Sequence, residues 1–168
     1  ICDALHLVTE SVKFLQPIAK EKELYLTIVP PKKQIMINTD ETLAHQVLNN
    51  IIGNAIKFTK EGGITISFEV NQDSETPYCE IVVVDTGIGM DETFLKQLYQ
   101  PFQQESKGYN RQYEGSGLGL AISKSYMELM SGKILVKTRI NQGTTFRLAF
   151  PLNQKEKLLS PKENPINI

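Results

Sequence analysis

Gly62-Gly63-Ile64-Thr65-Ile66-Ser67-Phe68-Glu69-Val70 and Tyr78-Cys79-Glu80-Ile81-Val82-Val83-Val84-Asp85 follow one another with only the polar stretch Asn71 to Pro77 between them. In the first, Ile64, Ile66, Phe68 and Val70 alternate with mostly polar residues, the period of a strand with one buried face. The second is more uniformly apolar, as expected at a sheet centre. Two strands joined by a hairpin loop, with no helix between them, point to antiparallel pairing.

The same pairing of strands recurs on either side. Upstream, apolar residues at Leu5, Val8, Val12, Leu15, Ile18 and Ala19 have helical spacing over residues 3–22, with Pro17 expected to kink the helix or to start its last turn irregularly. Leu24 to Val29 and Gln34 to Ile37 read as two strands about the turn Pro30-Pro31-Lys32-Lys33. Asn38, Thr39 and Asp40 are all N-cap residues, so a helix is expected from about 40 to 58. Downstream, Asp91 would cap a short helix from Met90 to Tyr99, and a polar stretch without periodicity runs to Glu114. A helix over residues 117–131 is stopped by Gly132, and Lys133 to Thr138 with Thr144 to Phe150 close the domain as a hairpin. This order predicts an α/β two-layer sandwich, a mixed and mostly antiparallel sheet packed on about three helices. One domain is expected over residues 1–152, with a polar tail or linker over 153–168.

Composition narrows the function. Hydrophobic residues make up 40% and charged residues 22%, values of a globular chain. A net charge of −1 supplies no field to attract nucleic acid or an anionic membrane. Cys2 and Cys79 lack metal-type spacing and read as unpaired thiols of a reducing compartment. No stretch has the ~20 apolar residues of a membrane span. The start at Ile1 reads as an excised fragment, with any anchor of the full-length protein outside it.

Three short islands carry the chemistry. On the helix, Asn50, Asn54 and Lys57 form a polar stripe bordering the apolar line Leu43, Val47, Ile51, Ala55 and Phe58. A half-buried amide costs free energy unless satisfied, and amide oxygens suit Mg²⁺. Asp85-Thr86-Gly87-Ile88-Gly89 ends the apolar strand with a carboxylate that needs partners and could accept from the exocyclic amine of adenine. Gly115-Ser116-Gly117-Leu118-Gly119 opens a helix whose N-terminal N–H groups can cradle an anion such as a triphosphate. No P-loop is present, because Gly132-Lys133 is followed by Ile134. The glycine loop has neither the spacing of a dinucleotide fingerprint nor the strand that should lead into one.

Asn-x-x-x-Asn-Ala-x-Lys-Phe, Asp-x-Gly-x-Gly, a Pro-Phe segment and Gly-x-Gly-x-Gly-Leu, in this order over about residues 3–152, resemble the catalytic ATP-binding domain of sensor histidine kinases. That domain shares the Bergerat-type sandwich of the gyrase, Hsp90 and MutL ATPases. The resemblance implies ATP and Mg²⁺ as ligands. It implies Asn54 as the Mg²⁺ ligand, Asn50 beside the phosphates, Lys57 on phosphate and Phe58 flanking the nucleotide. It implies Asp85 on the adenine amine, with Gly87, Ile88 and Gly89 bringing backbone to the ring. Phe102 would match the aromatic box, residues 103–114 a lid with Lys107 or Arg111 as its cation, and Gly115, Ser116, Gly117, Leu118 and Gly119 the phosphate-side loop. Thr145, in Gly143-Thr144-Thr145-Phe146, would support the adenine site. Ser116 stands where threonine is more usual.

The gyrase-like members carry a glutamate at the position matched by Asn50, and an amide cannot act as that general base. The resemblance therefore implies a protein-histidine kinase domain in a two-component system, cytoplasmic and with little activity as a monomeric fragment. Its acceptor would be a histidine on a separate dimerisation domain of a homodimeric full-length protein, with a response-regulator receiver downstream and no nucleic-acid partner. His6 lacks an acidic neighbour and His45 reads as a surface residue, so neither is expected to be that acceptor. The competing readings are a gyrase-type hydrolase, a degenerate docking module that has lost nucleotide binding, and a serine kinase of the same superfamily.

Overall fold

The computed structural model describes residues 1–91 and 118–153. The predicted short helix after Met90, Phe102, Lys107, Arg111, Gly115, Ser116, Gly117 and nearly all of the C-terminal tail lie outside these residues. Helix α1 (Ala4–Glu21) is capped by Asp3, whose Oδ1 accepts from the N–H groups of Leu5 and His6 at 2.8 and 3.2 Å. It continues through Pro17, and its Leu7, Val8, Val12 and Leu15 are buried. Helix α2 (Glu41–Phe58) starts at Asp40, whose Oδ1 accepts from Leu43 N–H at 2.9 Å, so of the three predicted capping residues Asp40 takes the part.

Strands β2 (Tyr25–Ile28), β4 (Gly63–Asn71), β5 (Tyr78–Asp85), β6 (Lys133–Thr138) and β7 (Thr144–Pro151) form one sheet in the order β2-β4-β5-β7-β6. Only β2 with β4 is parallel. The central strand is the more uniformly apolar one, β5. Ile64, Ile66, Ile81, Val83, Phe146, Leu148 and Phe150 face α1, α2 and a third helix, α3 (Gly119–Leu129), and are all at most 5% exposed. The predicted two-layer sandwich with a mixed sheet is the observed fold. On the opposite face of the sheet, Arg147 on β7 reaches Glu69 on β4 and Glu80 on β5, each at 2.6 Å. Buried Cys79 and half-buried Cys2 are both free thiols, and burial together with Glu80 pushes Cys79 up to about 12.

Two details differ from the sequence reading. The residues 34–37 do not extend the main sheet: β3 (Met36–Ile37) pairs with β1 (Cys2–Asp3) in a separate two-stranded ladder, too short to show a period. At the end of α3 it is Ser131, with φ of 56°, that takes the left-handed turn expected of Gly132. Gly132 is needed for closeness instead, because a Cβ there would lie 2.7 Å from the Ala149 carbonyl oxygen.

Candidate nucleotide site

The ends of β5, β6 and β7 converge on Asp85. Its side chain is 6% exposed. Oδ1 accepts from Gly87 N–H at 2.8 Å and from Thr144 N–H at 3.1 Å. Burial pushes the carboxyl above its ordinary range, and these two backbone donors pull against that shift. With Oδ1 occupied by backbone, Oδ2 accepts from no described residue.

The loop after Asp85 is bound on both sides. Ile88 N–H donates to Phe58 O at 3.2 Å, which ties it to the last turn of α2. Asn141 N–H donates to Ile88 O at 2.7 Å, and Met90 N–H to Thr138 Oγ1 at 2.9 Å, which tie it to the β6–β7 turn. Thr138 Oγ1 also donates to Gly143 O at 3.1 Å and lies 3.0 Å from Thr144 Oγ1. Gly89 and Gly143 have φ of 65° and 76°, and a Cβ would overlap the Arg139 carbonyl at the first and the Asp85 carbonyl at the second. A Cβ on Gly87 would stand 2.6 Å from Phe58 O. The glycines expected to admit a ring therefore also serve to seat this loop against protein backbone.

Thr145 does not share this cluster. It pairs with Val84 and Lys137 and lies on the outer face of the sheet, whereas Thr144 lies on the helix face with Asp85. Strand alternation makes this a one-residue difference that inverts the direction of the side chain. Thr144 and Thr138 are thus the residues that sequence reading missed. The expected strand from Thr144 already carried the parity, since Phe146, Leu148 and Phe150 are its apolar positions.

The second half of the site lies between α2 and α3. Asn50 Nδ2 donates to Ser123 Oγ at 2.8 Å, and Asn54 Nδ2 points to Asn50 Oδ1 at 3.5 Å. Gly119, one turn before Ser123, packs so closely that a Cβ would overlap Asn50 Oδ1. Leu118 is the N-cap of α3 and offers no capping side chain. Lys57 Nζ stands 5.1 Å from the centroid of the Phe58 ring. Lys22, from just beyond α1, donates to the carbonyls of Ile56 and Lys57 at 2.8 and 3.1 Å and so closes the C-terminal end of α2. Among the described residues no cluster of three or more His, Cys, Asp or Glu side chains could hold a metal ion. The donors that suit a hard cation are the amide oxygens. His6 is exposed, and half-buried His45 has Nδ1 3.1 Å from Ser11 Oγ in the seam of α1 and α2.

A sequence model of the histidine kinase-, DNA gyrase B-, and HSP90-like ATPase family matches residues 39–154, and the chain belongs to this family. Its relatives place it among the histidine-kinase catalytic ATP-binding domains. It is 39% identical over 146 residues to the autoinducer 2 sensor kinase/phosphatase LuxQ of Vibrio vulnificus strain YJ016, covering 84% of this chain and 17% of that protein. It is 34% identical over 164 residues to the sensor protein GacS of Pseudomonas syringae pv. syringae, covering 96% of this chain and 18% of that protein. The crystal structure of full-length ShkA in complex with AMPPNP matches with a TM-score of 0.78 at 27% identity, over 90% of this chain and 30% of that one. The catalytic domain of histidine kinase ThkA shares the fold, with a TM-score of 0.69 at 24% identity over 87% of this chain and 92% of that one. The chain thus spans under a fifth of the length of these curated relatives. Among the described residues no helix is long and apolar enough to cross a membrane.

Proposed function

We propose that this chain binds ATP with Mg²⁺ and donates the γ-phosphoryl group to a histidine on a separate helical domain of the same full-length protein. Asp85 Oδ2 receives the adenine amine, and Thr144, rather than Thr145, is the threonine beside it. Asn54 offers its side-chain oxygen to the cation, Asn50 stands next to it, and Lys57 and the N-terminal turn of α3 face the phosphates. The donor set fits Mg²⁺: two amides adjoin the start of α3, and the oxygen of Asn54 accepts from no described residue. Bound Mg²⁺ would supply neutralisation of phosphate charge. The chain's own residues orient the nucleotide, and phosphoryl transfer is mostly such positioning.

The observation that carries this reading is the amide at position 50. It has no proton-accepting nitrogen or carboxylate, and its Nδ2 is already committed to Ser123. Water beside it is not activated, so ATP waits for another nucleophile. A gyrase-type hydrolase is the reading this disfavours. A downstream receiver and a cytoplasmic, homodimeric full-length protein complete the proposal. Incubation of the full-length protein with ATP labelled at the γ-phosphate tests it. Acid-labile label on a histidine outside residues 1–168 is expected, and label lost on His6→Ala or His45→Ala would contradict it.

A further inference from the structure

Asn50 sits in a two-point seat on α3. Ser123, 2% exposed, takes its Nδ2 at 2.8 Å, and the missing side chain of Gly119, one turn earlier, leaves room for its Oδ1. Asn50 Oδ1 in turn faces Asn54 Nδ2 at 3.5 Å. The direction of this chain matters. With Nδ2 of Asn50 on Ser123 and Nδ2 of Asn54 on Asn50, the atom of Asn54 that remains is an oxygen. Reversed, with Ser123 donating to Asn50 Oδ1, both amides turn over and Asn54 presents N–H groups, which repel a cation. A helical serine can place its own proton on the carbonyl four residues back, which leaves Oγ as an acceptor.

From this seat we infer that Ser123 is a positioning residue for cation binding, fixing through Asn50 which end of the Asn54 amide faces Mg²⁺. This rests on the proposed function, since it supposes that Asn54 holds the cation. Residues that orient a metal ligand typically contribute tenfold or more to metal affinity. Ser123 makes no contact with Asp85 in this arrangement, so nucleotide binding without metal is a control for intact folding.

The test is calorimetric titration of the chain with ADP in chelator and with a non-hydrolysable ATP analogue with and without Mg²⁺, for wild type, Ser123→Ala and Ser123→Thr. Wild type is expected to bind the analogue more tightly with Mg²⁺. Ser123→Ala should lose about tenfold of that Mg²⁺-dependent gain while metal-free ADP affinity stays within about twofold, and Ser123→Thr, which keeps the hydroxyl, should recover most of it. An unchanged Mg²⁺-dependent gain in Ser123→Ala, or an equal loss of ADP and Mg²⁺-analogue affinity, would overturn the positioning role alone. A wild-type chain that binds no nucleotide would overturn the proposed function, and this inference with it.

Discussion

The two ends of the site are held in different ways. Around Asp85 every contact has backbone on at least one side: the N–H groups of Gly87 and Thr144 donate to the carboxylate, Gly89 lies against the Arg139 carbonyl and Gly143 against the Asp85 carbonyl. Between α2 and α3 the contacts are between side-chain ends: Asn50 to Ser123, Asn54 to Asn50, and Asn50 into the space above Gly119. Backbone cannot step aside, whereas an amide at the end of a side chain can rotate. The Asp85 end is therefore a fixed template, and the α2–α3 end is an adjustable one set by a few polar contacts.

That contrast is broken most severely by Gly89→Ala. The new Cβ meets the Arg139 carbonyl at a φ of 65°, so a loss of about 3 kcal/mol or more is expected in denaturant unfolding. Next comes Asp85→Asn. The amide keeps an oxygen for Gly87 and Thr144 but replaces Oδ2 with a donor, so adenine-nucleotide affinity should fall about a hundredfold or more. Its melting temperature should hold or rise at neutral pH, because a buried charge is removed. The sign follows from linkage. The folded pKa of Asp85 is raised above 3.8, so the folded chain holds this proton more tightly than the unfolded one. Its contribution to stability is present below the unfolded value and is lost as pH rises through the raised one. The wild type should therefore lose part of its stability across that window relative to Asp85→Asn, which thermal unfolding against pH would detect.

Gly119→Ala should act in the opposite sense to Gly89→Ala. The clash is with the end of the Asn50 side chain, which can move, and alanine favours a helix, so stability should change by less than about 1 kcal/mol. The displaced amide should nonetheless cost about tenfold in Mg²⁺-nucleotide affinity. Smallest is Arg147→Ala, on the face of the sheet opposite the helices. Its ion pairs with Glu69 and Glu80 are partly exposed, so about 0.5 kcal/mol is expected, with nucleotide affinity unchanged.

What the sequence made legible follows the same division. Paired strands, the polar stripe of Asn50 and Asn54 beside an apolar face, and Asp85 at the end of a buried strand all come from periods and from the placement of polar residues next to apolar ones. The partners of those residues do not. Ser123 looks like any serine on an amphipathic helix, and nothing local says that its hydroxyl meets α2. Thr144 and Thr145 are adjacent and chemically identical; the alternation of Phe146, Leu148 and Phe150 puts Thr144 on their face, but only the register of β7 against β5 brings it to Asp85. The ladder of β1 with β3 joins residues about 35 positions apart through two pairs, which no window along the chain can detect.

With an amide at position 50, the proposed site should keep ATP rather than hydrolyse it. The most direct measurement follows phosphate release from ATP·Mg²⁺ bound at saturation to this chain. The bound nucleotide is expected to be recovered as ATP, with phosphate release no faster than without protein. Steady release of phosphate that is abolished by Asn50→Ala would contradict it.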